Sequence, residues 1–365
     1  MCETRLWLSQ KRLDNNLRLI RSRLPADTKI LINLKANAYG HGAVLLGKYL
    51  ENKADYFSVA CQKEGMELRE AGIGTPVIVY NPPVEWNRAF FEARLEPVLY
   101  GLEQAKALAD FLRKEGLNGI RVHVKLDTGM HRSGLIPGDT DEMIALLRQD
   151  ENMHLTSVFS HLAAADDPKE ADFTRAQIAL FDRLSRKFFT VNDRLIRHIA
   201  NSSAIYAYPE AVFDMVRPGL SVYGISPVAG EWETLLQPIG QMVSRITQIR
   251  TVKKGETVGY NRKFTAPRDT RVALIPTGYG DGYKRALGLG KGYVTVNGMA
   301  APVIGKVNMD MITVDVTDIP ASIGDLAVLF GDKPRVDELA RLAGTIPYDI
   351  TTSVSRRVAR IWHNF

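Results

Sequence analysis

The order of short apolar runs and longer amphipathic stretches between Lys29 and about Ile225 restricts the fold more than any other feature of this sequence. The apolar runs predict eight strands, at residues 29–34, 56–60, 75–80, 95–100, 120–126, 155–161, 195–200 and 212–217. The stretches between and after them predict helices at about 43–52, 63–71, 85–93, 102–115, 139–149, 169–188 and 202–207. Right-handed crossovers place each helix outside a parallel sheet, so the alternation predicts a closed (β/α)8 barrel, with an open doubly wound sheet as the alternative.

Beyond Pro227 the sequence changes, because helical patterns nearly vanish and short β-rich runs lie between glycines and prolines. Strands are predicted at 244–252, 271–276, 292–296, 301–304, 311–314 and 327–330, with one helix at 336–343 and an extended or irregular tail. The pair Asn297-Gly298 predicts a two-residue hairpin. The predicted fold class is α/β: an eight-stranded parallel (β/α)8 barrel in residues 1–228, followed by a C-terminal all-β domain in residues 229–365. Residues 1–9 precede a predicted helix at 11–23 and are candidates to pair with the β domain.

Length and composition indicate a globular chain with room for two cores. The chain has 365 residues, of which 45% are hydrophobic and 24% charged. No apolar run approaches the roughly 18 residues of a membrane span, and Met1 to Arg5 lack the apolar core of a signal peptide, so a cytoplasmic location is expected. The only cysteines, Cys2 and Cys61, exclude a disulfide framework and a multi-thiolate metal site, and no metal is expected.

The positive charge of the chain is dispersed. The net charge is +6 and the isoelectric point about 9.1, but aspartates and glutamates lie among the basic residues along the whole sequence. This distribution argues against nucleic acid as a partner. It suits small anionic ligands, since arginine binds phosphates and carboxylates in bidentate geometry.

A lysine, Lys35, lies where the first predicted strand ends and a turn with two glycines begins. Partial burial at the rim of a sheet lowers the pKa of such an amine and makes it available to a carbonyl or a proton. Barrels of this type build their sites from loops at the C-terminal ends of the strands. Six polar residues fall at or just past those ends and predict a site there: Lys35, Lys125, Arg132, His161, Asn201 and Arg217.

Several motifs carry a family resemblance. The stretch Lys35-Ala36-Asn37-Ala38-Tyr39-Gly40-His41-Gly42 closely resembles the pyridoxal-phosphate attachment motif of alanine racemases, which combine a (β/α)8 TIM barrel with a β domain. The resemblance covers nearly the whole chain. It includes 125–134 (KLDTGMHRSG), 160–163 (SHLA), 201–202 (NS), 217–220 (RPGL), 278–282 (GYGDG) and 306–310 (KVNMD).

The resemblance implies a pyridoxal 5'-phosphate cofactor bound covalently to Lys35. For the cofactor's phosphate it implies four residues, namely Tyr39, Ser202, Gly219 and Leu220, although a serine such as Ser202, taken alone, is more often a simple helix cap. Arg217 matches the family's partner for the pyridine nitrogen. An arginine cannot accept the proton of that nitrogen, so the ring remains a weaker electron sink, which favours clean proton exchange over decarboxylation or transamination.

Racemisation needs a base on each face of the α-carbon. The resemblance implies two-base proton transfer through an external aldimine, with Lys35 on one face and Tyr260 on the other. A tyrosine of ordinary pKa, about 10, is a poor base at neutral pH unless charge or hydrogen bonds lower it. His161 and Arg217 match the family's relay to that tyrosine, and a lone histidine such as His161 is otherwise more often a core residue.

The resemblance also implies a head-to-tail homodimer in which Tyr260 and Met309 serve the partner's site. Arg132 matches the residue that orients the substrate carboxylate in this family. Lys125 matches a lysine that is carbamylated in many members of the family. Tyr279 and Tyr348 match the tyrosines that narrow the entrance and favour a methyl side chain, whereas Asn308 stands where some relatives have cysteine.

The expected function is therefore an isomerase of L-alanine and D-alanine, an alanine racemase, with no nucleic acid and no membrane as partner. Provision of D-alanine for peptidoglycan precursors and catabolism of alanine are both compatible with these residues. A broad-specificity or serine racemase of the same fold is the alternative, since only the entrance tyrosines argue against it. A decarboxylase would prefer a carboxylate at the pyridine nitrogen, and small carrier barrels that bind the cofactor without turnover lack the β domain.

Overall fold

Eight parallel strands form a barrel in the computed structural model, which describes residues 3–228 and 230–365. Among these residues the strand order is β8-β7-β6-β5-β4-β3-β2-β9. The amide of Arg217 donates to Ala200 O (2.9 Å) and the amide of Asp214 to Arg197 O (3.0 Å), so β9 also meets β8 and the sheet closes. The strands are Lys29–Asn33 (β2), Tyr56–Val59 (β3), Val77–Val79 (β4), Leu95–Leu99 (β5), Ile120–Lys125 (β6), Met153–Phe159 (β7), Ile196–His198 (β8) and Met215–Val216 (β9).

The predicted barrel is confirmed, and the open doubly wound sheet is wrong. Each predicted strand overlaps an observed one, although β4, β8 and β9 are shorter than the apolar runs that predicted them and β7 begins two residues earlier. Amphipathic helices cover the outside, and α8, for example, buries Ile178, Phe181 and Leu184 against the barrel. The helices are Gln10–Arg21 (α1), Lys35–Tyr39 (α2), Ala43–Leu50 (α3), Gln62–Glu70 (α4), Arg88–Glu92 (α5), Leu102–Glu115 (α6), Thr140–Gln149 (α7), Ala171–Arg186 (α8) and Ser202–Ala207 (α9).

The C-terminal part is built on a sheet with strand order β11-β14-β17-β16-β15-β18-β10-β1-β19, nine strands within the described residues. Beside Arg5–Leu8 (β1), its strands are Gly240–Arg245 (β10), Gln248–Val252 (β11), Thr270–Ile275 (β14), Tyr293–Val296 (β15), Met299–Ile304 (β16), Ile312–Asp315 (β17), Leu326–Phe330 (β18) and Ala359–Trp362 (β19). Thr257–Val258 (β12) and Phe264–Thr265 (β13) form a separate ribbon. The remaining helices are Trp232–Leu235 (α10), Val336–Ala343 (α11) and Pro347–Thr352 (α12).

One sequence prediction in this part is wrong and another is incomplete. The run 244–252 is not one strand, because the chain turns at Ile246 and Thr247 and forms β10 and β11. The tail, predicted to be extended or irregular, is extended in β19, which pairs in parallel with β1, but it also contains α12, which was not predicted. The hairpin between β15 and β16 is as predicted, with Asn297 and Gly298 both at positive φ (48° and 78°).

Strand β1 lies in the nine-stranded sheet, where it is antiparallel to β10. Leu6 and Leu8 are buried in the core of the β domain, which is distinct from the core around the barrel. We propose a domain boundary between residues 228 and 229, with Arg5–Leu8 assigned to the β domain although they precede the barrel in sequence. Met1, Cys2 and Ala229 lie outside the described residues.

Helix α12 joins the β domain to the mouth of the barrel. A Cβ on Gly40, at the end of α2, would stand 1.9 Å from Thr351 O, and Gly40 has a φ of +85°. Only glycine permits this approach. Arg360 of β19 donates to Gly40 O from Nε (3.1 Å) and Nη2 (2.9 Å). These contacts hold Tyr348 and Thr352 of α12 beside the C-terminal ends of the barrel strands.

In the described part of the chain, no helix has the length and apolar character needed to cross a bilayer.

Candidate active site

A cavity of about 640 Å³ opens at the C-terminal ends of the barrel strands. That volume lies in the usual range for small-molecule sites. All six residues that the sequence places at the strand ends line it. None of the described residues in the lining is a carboxylate. Four side chains in the lining are basic, namely Lys35, Lys125, Arg132 and Arg217. The cavity is therefore suited to a ligand with more than one negative group.

The segment after β2 is a left-handed helical turn, where the sequence predicted a loop. Ala36, Asn37, Ala38 and Tyr39 have φ between 51° and 54°. This conformation costs roughly 1–2 kcal/mol per residue, so the surroundings must hold it. The carboxylate of Glu64 accepts from the amides of Ala36 (2.8 Å) and Ala60 (2.7 Å).

The amine of Lys35 points into the cavity between two aromatic rings. Its Nζ lies 5.9 Å from the ring centroids of both Tyr39 and Tyr80. Burial lowers the pKa of Lys35, and the positive charges of Arg132 and Arg217 lower it further, while Glu64 acts in the opposite sense. The neutral, nucleophilic amine is therefore more accessible here than in a solvated lysine.

A polar cradle lies beside this lysine, at the start of α9. Ser202 Oγ accepts from the amide of Gly219 (2.8 Å) and from Ser221 Oγ (3.1 Å). A Cβ on Gly219 would stand 2.9 Å from the hydroxyl of Tyr39. The absence of a side chain thus keeps a small pocket open between two hydroxyl groups. The side chain of Leu220, the next residue, is buried in the core of the β domain.

Arg217 is buried at the base of the cavity, and its guanidinium is held by many acceptors. Its Nη1 donates to Nδ1 of His198 (2.8 Å), and its Nη2 donates to Ser160 O (2.6 Å) and to Nδ1 of His161 (3.3 Å). Burial and the charge of Arg217 hold the pKa of His161 well below its ordinary value. His161 is thus a neutral imidazole that accepts at Nδ1 and carries its proton on Nε2.

Lys125 is a second lysine of unusual character. It ends β6, and its Nζ donates to Ser133 Oγ (2.5 Å). Burial, with the charges of Arg132 and Arg217, lowers the pKa of Lys125 to about 8. About a tenth of this amine is therefore uncharged at pH 7, far more than for a solvated lysine.

Four residues implied by the resemblance are absent from the described lining of the cavity: Leu220, Tyr260, Tyr279 and Met309. Three of them belong to the β domain and are exposed, with relative accessibilities of 69% for Tyr260, 42% for Tyr279 and 56% for Met309. Tyr348 does line the cavity, and its ring centroid lies 5.5 Å from that of Tyr39.

Some residues of the site have no counterpart among the sequence predictions. Asn33 and Tyr80 line the cavity, and Oδ1 of Asn33 accepts from Ser58 Oγ (2.8 Å) and the Tyr80 hydroxyl (3.1 Å). Asn33 is a polar interruption of an apolar strand, and that signal could have identified it. Glu64 sits on a helix with ordinary polar spacing, and the sequence offers no signal for its role in holding α2.

Comparison with known proteins shows where the chain belongs. The family model described as alanine racemase, N-terminal domain, matches residues 8–227, and the model described as alanine racemase, C-terminal domain, matches residues 239–362. The chain belongs to the alanine racemase family. It is 37% identical to the alanine racemase of Sorangium cellulosum, with 99% of each chain covered, and 38% identical to the catabolic alanine racemase of Pseudomonas putida, with 98% of each covered.

A solved structure gives the same result for the fold. The alanine racemase of Clostridium difficile 630 superposes with a TM-score of 0.91 at 33% identity, over 98% of this chain and 95% of that one. Enzymes of the family are racemases that depend on pyridoxal 5'-phosphate. Within residues 3–228 and 230–365, no group of three or more His, Cys, Asp or Glu side chains is arranged to hold a metal ion.

Proposed function

We propose that this chain interconverts L-alanine and D-alanine with pyridoxal 5'-phosphate as cofactor, as an alanine racemase. The observation that carries the proposal is the pair formed by an amine, Lys35, and a buried guanidinium, Arg217, in one cavity with no carboxylate in its described lining. An arginine beside the ring nitrogen would leave the cofactor a weaker electron sink, which favours proton exchange. A carboxylate there would make the ring a stronger electron sink, which favours other reactions such as decarboxylation or transamination.

The residues present fit the cofactor. Gly219 leaves the backbone beside the hydroxyls of Tyr39 and Ser202 free of a side chain, so a phosphate could approach it closely, and the backbone of Leu220 is proposed as a further contact. The lowered pKa of Lys35 suits covalent attachment to an aldehyde. When bound, pyridoxal 5'-phosphate supplies the electron sink that makes the α-hydrogen of an amino acid acidic.

Lys35 is proposed as one of the two bases, holding a proton at Nζ on one face of the substrate. Its aromatic neighbours and partial burial keep water away from the amine. Tyr260 is proposed to hold a proton at its hydroxyl on the opposite face. His161 is proposed to orient that hydroxyl through Nε2–H, because its Nδ1 is occupied by Arg217.

Arg132 is proposed to bind the substrate carboxylate. The neighbouring Lys125 is proposed to be carbamylated, because an amine with a pKa of about 8 is partly neutral and able to add CO₂. The change turns a cation into an anion, which would orient Arg132 and reduce the repulsion among the four basic side chains of the cavity.

A head-to-tail homodimer is proposed to complete the site. Tyr260, Tyr279 and Met309 are exposed on the β domain and do not line this chain's own described cavity. A site that needs Tyr260 must therefore take it from a second copy of the chain. Mixing inactive Lys35→Ala and Tyr260→Phe subunits should restore activity in the heterodimer. Absence of restored activity after verified subunit exchange would contradict the shared site.

Tyr348 is proposed to restrict the substrate to a methyl side chain, together with entrance residues that the β domain of a second copy of the chain would contribute. Tyr348 packs beside Tyr39 at the rim of the cavity, where a longer side chain would meet it. For the cell we propose a cytoplasmic enzyme that supplies D-alanine for peptidoglycan precursors.

The test is to incubate purified, cofactor-loaded protein with L-alanine or L-serine and to quantify both enantiomers by chiral chromatography. We expect equal amounts of the two alanine enantiomers at equilibrium and much slower conversion of serine. Lys35→Ala should lose both the conversion and the protein-bound absorption of the cofactor. Absence of D-alanine would overturn the proposal, and equal rates for serine would favour the broad-specificity alternative.

A further inference from the structure

A row of buried polar side chains crosses the inside of the barrel and ends at Arg217. From the far end, Glu96 Oε2 lies 2.8 Å from His123 Nε2, and His123 Nδ1 lies 2.7 Å from Ser157 Oγ. Ser157 Oγ lies 3.0 Å from His198 Nε2, and His198 Nδ1 lies 2.8 Å from Arg217 Nη1. The four side chains stand on the neighbouring strands β5, β6, β7 and β8.

The row is unusual for its surroundings. The row lies beside an apolar cluster inside the barrel that includes Leu31, Ile78 and Val98. His123, Ser157 and His198 have no exposed surface, and Glu96 is 8% exposed. Burying polar groups removes their hydration and requires a matched hydrogen-bond partner for each, whereas apolar residues would fill the same space without that requirement. A role beyond packing is therefore indicated.

The charge of Arg217 determines where each proton lies in the row. A guanidinium only donates, so His198 must accept at Nδ1. Burial and Arg217 hold the pKa of His198 well below its ordinary value, so the ring is neutral and carries its single proton on Nε2. That proton is donated to Ser157, which leaves the hydroxyl free to donate to His123 Nδ1. His123 then donates from Nε2 to the carboxylate of Glu96.

This is the arrangement in which every donor in the row meets an acceptor. If His123 carried a proton on Nδ1, both histidines would donate to Ser157, and the serine proton would have no acceptor in the row. If His198 carried its proton on Nδ1, two donors would face each other at Arg217. The carboxylate at one end and the guanidinium at the other thus fix the tautomers of both histidines.

We propose that Glu96, His123 and Ser157 are positioning residues that hold His198 in its Nε2–H tautomer and thereby hold the guanidinium of Arg217 in place for the cofactor's ring nitrogen. The inference rests on the proposed function for its consequence, but the tautomer of His198 is a property of the protein alone. Arg217 requires an acceptor at Nδ1 of His198, but without the row the buried Nε2–H of His198 has no acceptor, and this cost opposes the tautomer that Arg217 requires. The far end of the row lies near Arg121, whose Nη1 is 3.7 Å from Glu96 Oε1, so the row connects Arg217 to a residue outside the cavity.

The test begins with the apoprotein. Side-chain ¹⁵N shifts of His198, assigned by substitution among the seven histidines, report its tautomer. We expect Nε2–H in the wild type and a mixed or Nδ1–H population in Ser157→Ala. Ser157→Thr keeps the hydroxyl and should restore the wild-type shifts. Ser185→Ala is the matched control, because it removes a fully buried hydroxyl from α8, away from the cavity.

The loaded enzyme gives a second readout. Ser157→Ala should shift the absorption of the bound cofactor and lower kcat for alanine roughly tenfold, the effect of about 1.4 kcal/mol, with little change in KM. Ser157→Thr should reverse both effects. If Ser157→Ala does not fold, His123→Leu provides the same test, because it leaves Ser157 free to donate to His198 Nε2.

Wild-type ¹⁵N shifts of His198 and an unchanged cofactor spectrum in Ser157→Ala would overturn the inference. Equal changes in Ser185→Ala would also overturn it, since the effect would then be general. Failure of the proposed racemase function can be distinguished from failure of this inference. A wild type without racemase activity would still show the Nε2–H tautomer of His198 and the loss of that tautomer in Ser157→Ala.

Discussion

The amino group of Lys35 lies 5.9 Å from the centroid of the Tyr39 ring, and the two residues begin and end the same left-handed turn. The backbones that carry a reactive amine and a proposed phosphate-binding hydroxyl are therefore fixed relative to each other by this turn. The turn is strained, so its geometry depends on the groups that hold it. The most direct of these is the carboxylate of Glu64, which accepts from the amide that follows Lys35.

Replacement of Glu64 by glutamine should loosen this turn. The amide side chain has one acceptor oxygen, so one of the two amides, Ala36 or Ala60, would face an NH₂ group. We expect a loss of roughly 1–3 kcal/mol in the free energy of unfolding by urea, with weaker cofactor binding. Glu70→Gln, on the exposed face of the same helix, is the control. Equal stability of the two variants would show that Glu64 does not hold the turn.

Gly219→Ala should reduce the affinity for pyridoxal 5'-phosphate. The new Cβ would lie 2.9 Å from the Tyr39 hydroxyl, so the hydroxyl must move and the pocket between it and Ser202 narrows. We expect a dissociation constant raised by roughly tenfold or more, a loss of about 1.4 kcal/mol, in a titration of the apoprotein followed by absorbance. Gly138→Ala, with no described atom within 4 Å of its Cβ, should bind as the wild type does. Unchanged affinity in Gly219→Ala would place the phosphate elsewhere.

The stability of the apoprotein should depend on pH through Lys125. Its folded-state pKa of about 8 lies below the ordinary value of 10.5, so the unfolded chain binds more protons between these values and stability rises with pH in that window. Below pH 8 the cost of burying the charge is fully present. Lys125→Met removes this cost.

The measurement is chemical denaturation of both apoproteins in CO₂-free buffer from pH 7 to pH 10.5. The free energy of unfolding of Lys125→Met, relative to that of the wild type, should be highest at pH 7. This advantage of the variant should decrease as the pH rises above 8, because the wild type becomes more stable. A difference that stays constant across this range would contradict the lowered pKa of Lys125.

Tyr348→Ala should relax the substrate specificity. Removal of the ring beside Tyr39 leaves room for a hydroxymethyl group in place of a methyl group. We expect kcat/KM for L-serine relative to L-alanine to rise roughly tenfold, within the range that one small group contributes in a fitted pocket. Tyr49→Ala, a substitution on α3 outside the described lining of the cavity, should leave the ratio unchanged. A ratio unaffected by Tyr348→Ala would remove this residue from the specificity pocket.

The barrel was predictable from sequence because its strands are short apolar runs with regular spacing. Helices with clear amphipathic patterns were predicted closely, and α6 and α11 have the predicted bounds. The final segment was not predictable, because β19 is defined by pairing with β1 across more than 350 positions of sequence. Pairing at that separation leaves no local pattern.

The site was predictable where a residue type is required by chemistry or by strand position, as for Lys35 and Arg217. The left-handed turn was not, since Ala36 and Ala38 have no preference for positive φ and the conformation is imposed by contacts with Glu64 and Gly40. The histidines of the buried row were also missed. His123 and His198 look like ordinary members of apolar strands, and only the three-dimensional arrangement aligns them with Arg217.

The most direct test of the account is the exchange of the α-hydrogen with solvent from each enantiomer of alanine, in the wild type and in Tyr260→Phe. Purified, cofactor-loaded protein is incubated with α-deuterated L-alanine or D-alanine, and loss of deuterium is followed by NMR. We expect exchange from both enantiomers in the wild type and a much larger loss of exchange from one enantiomer than from the other in Tyr260→Phe. No exchange from either enantiomer in the wild type, or equal and mild effects of Tyr260→Phe, would contradict this expectation.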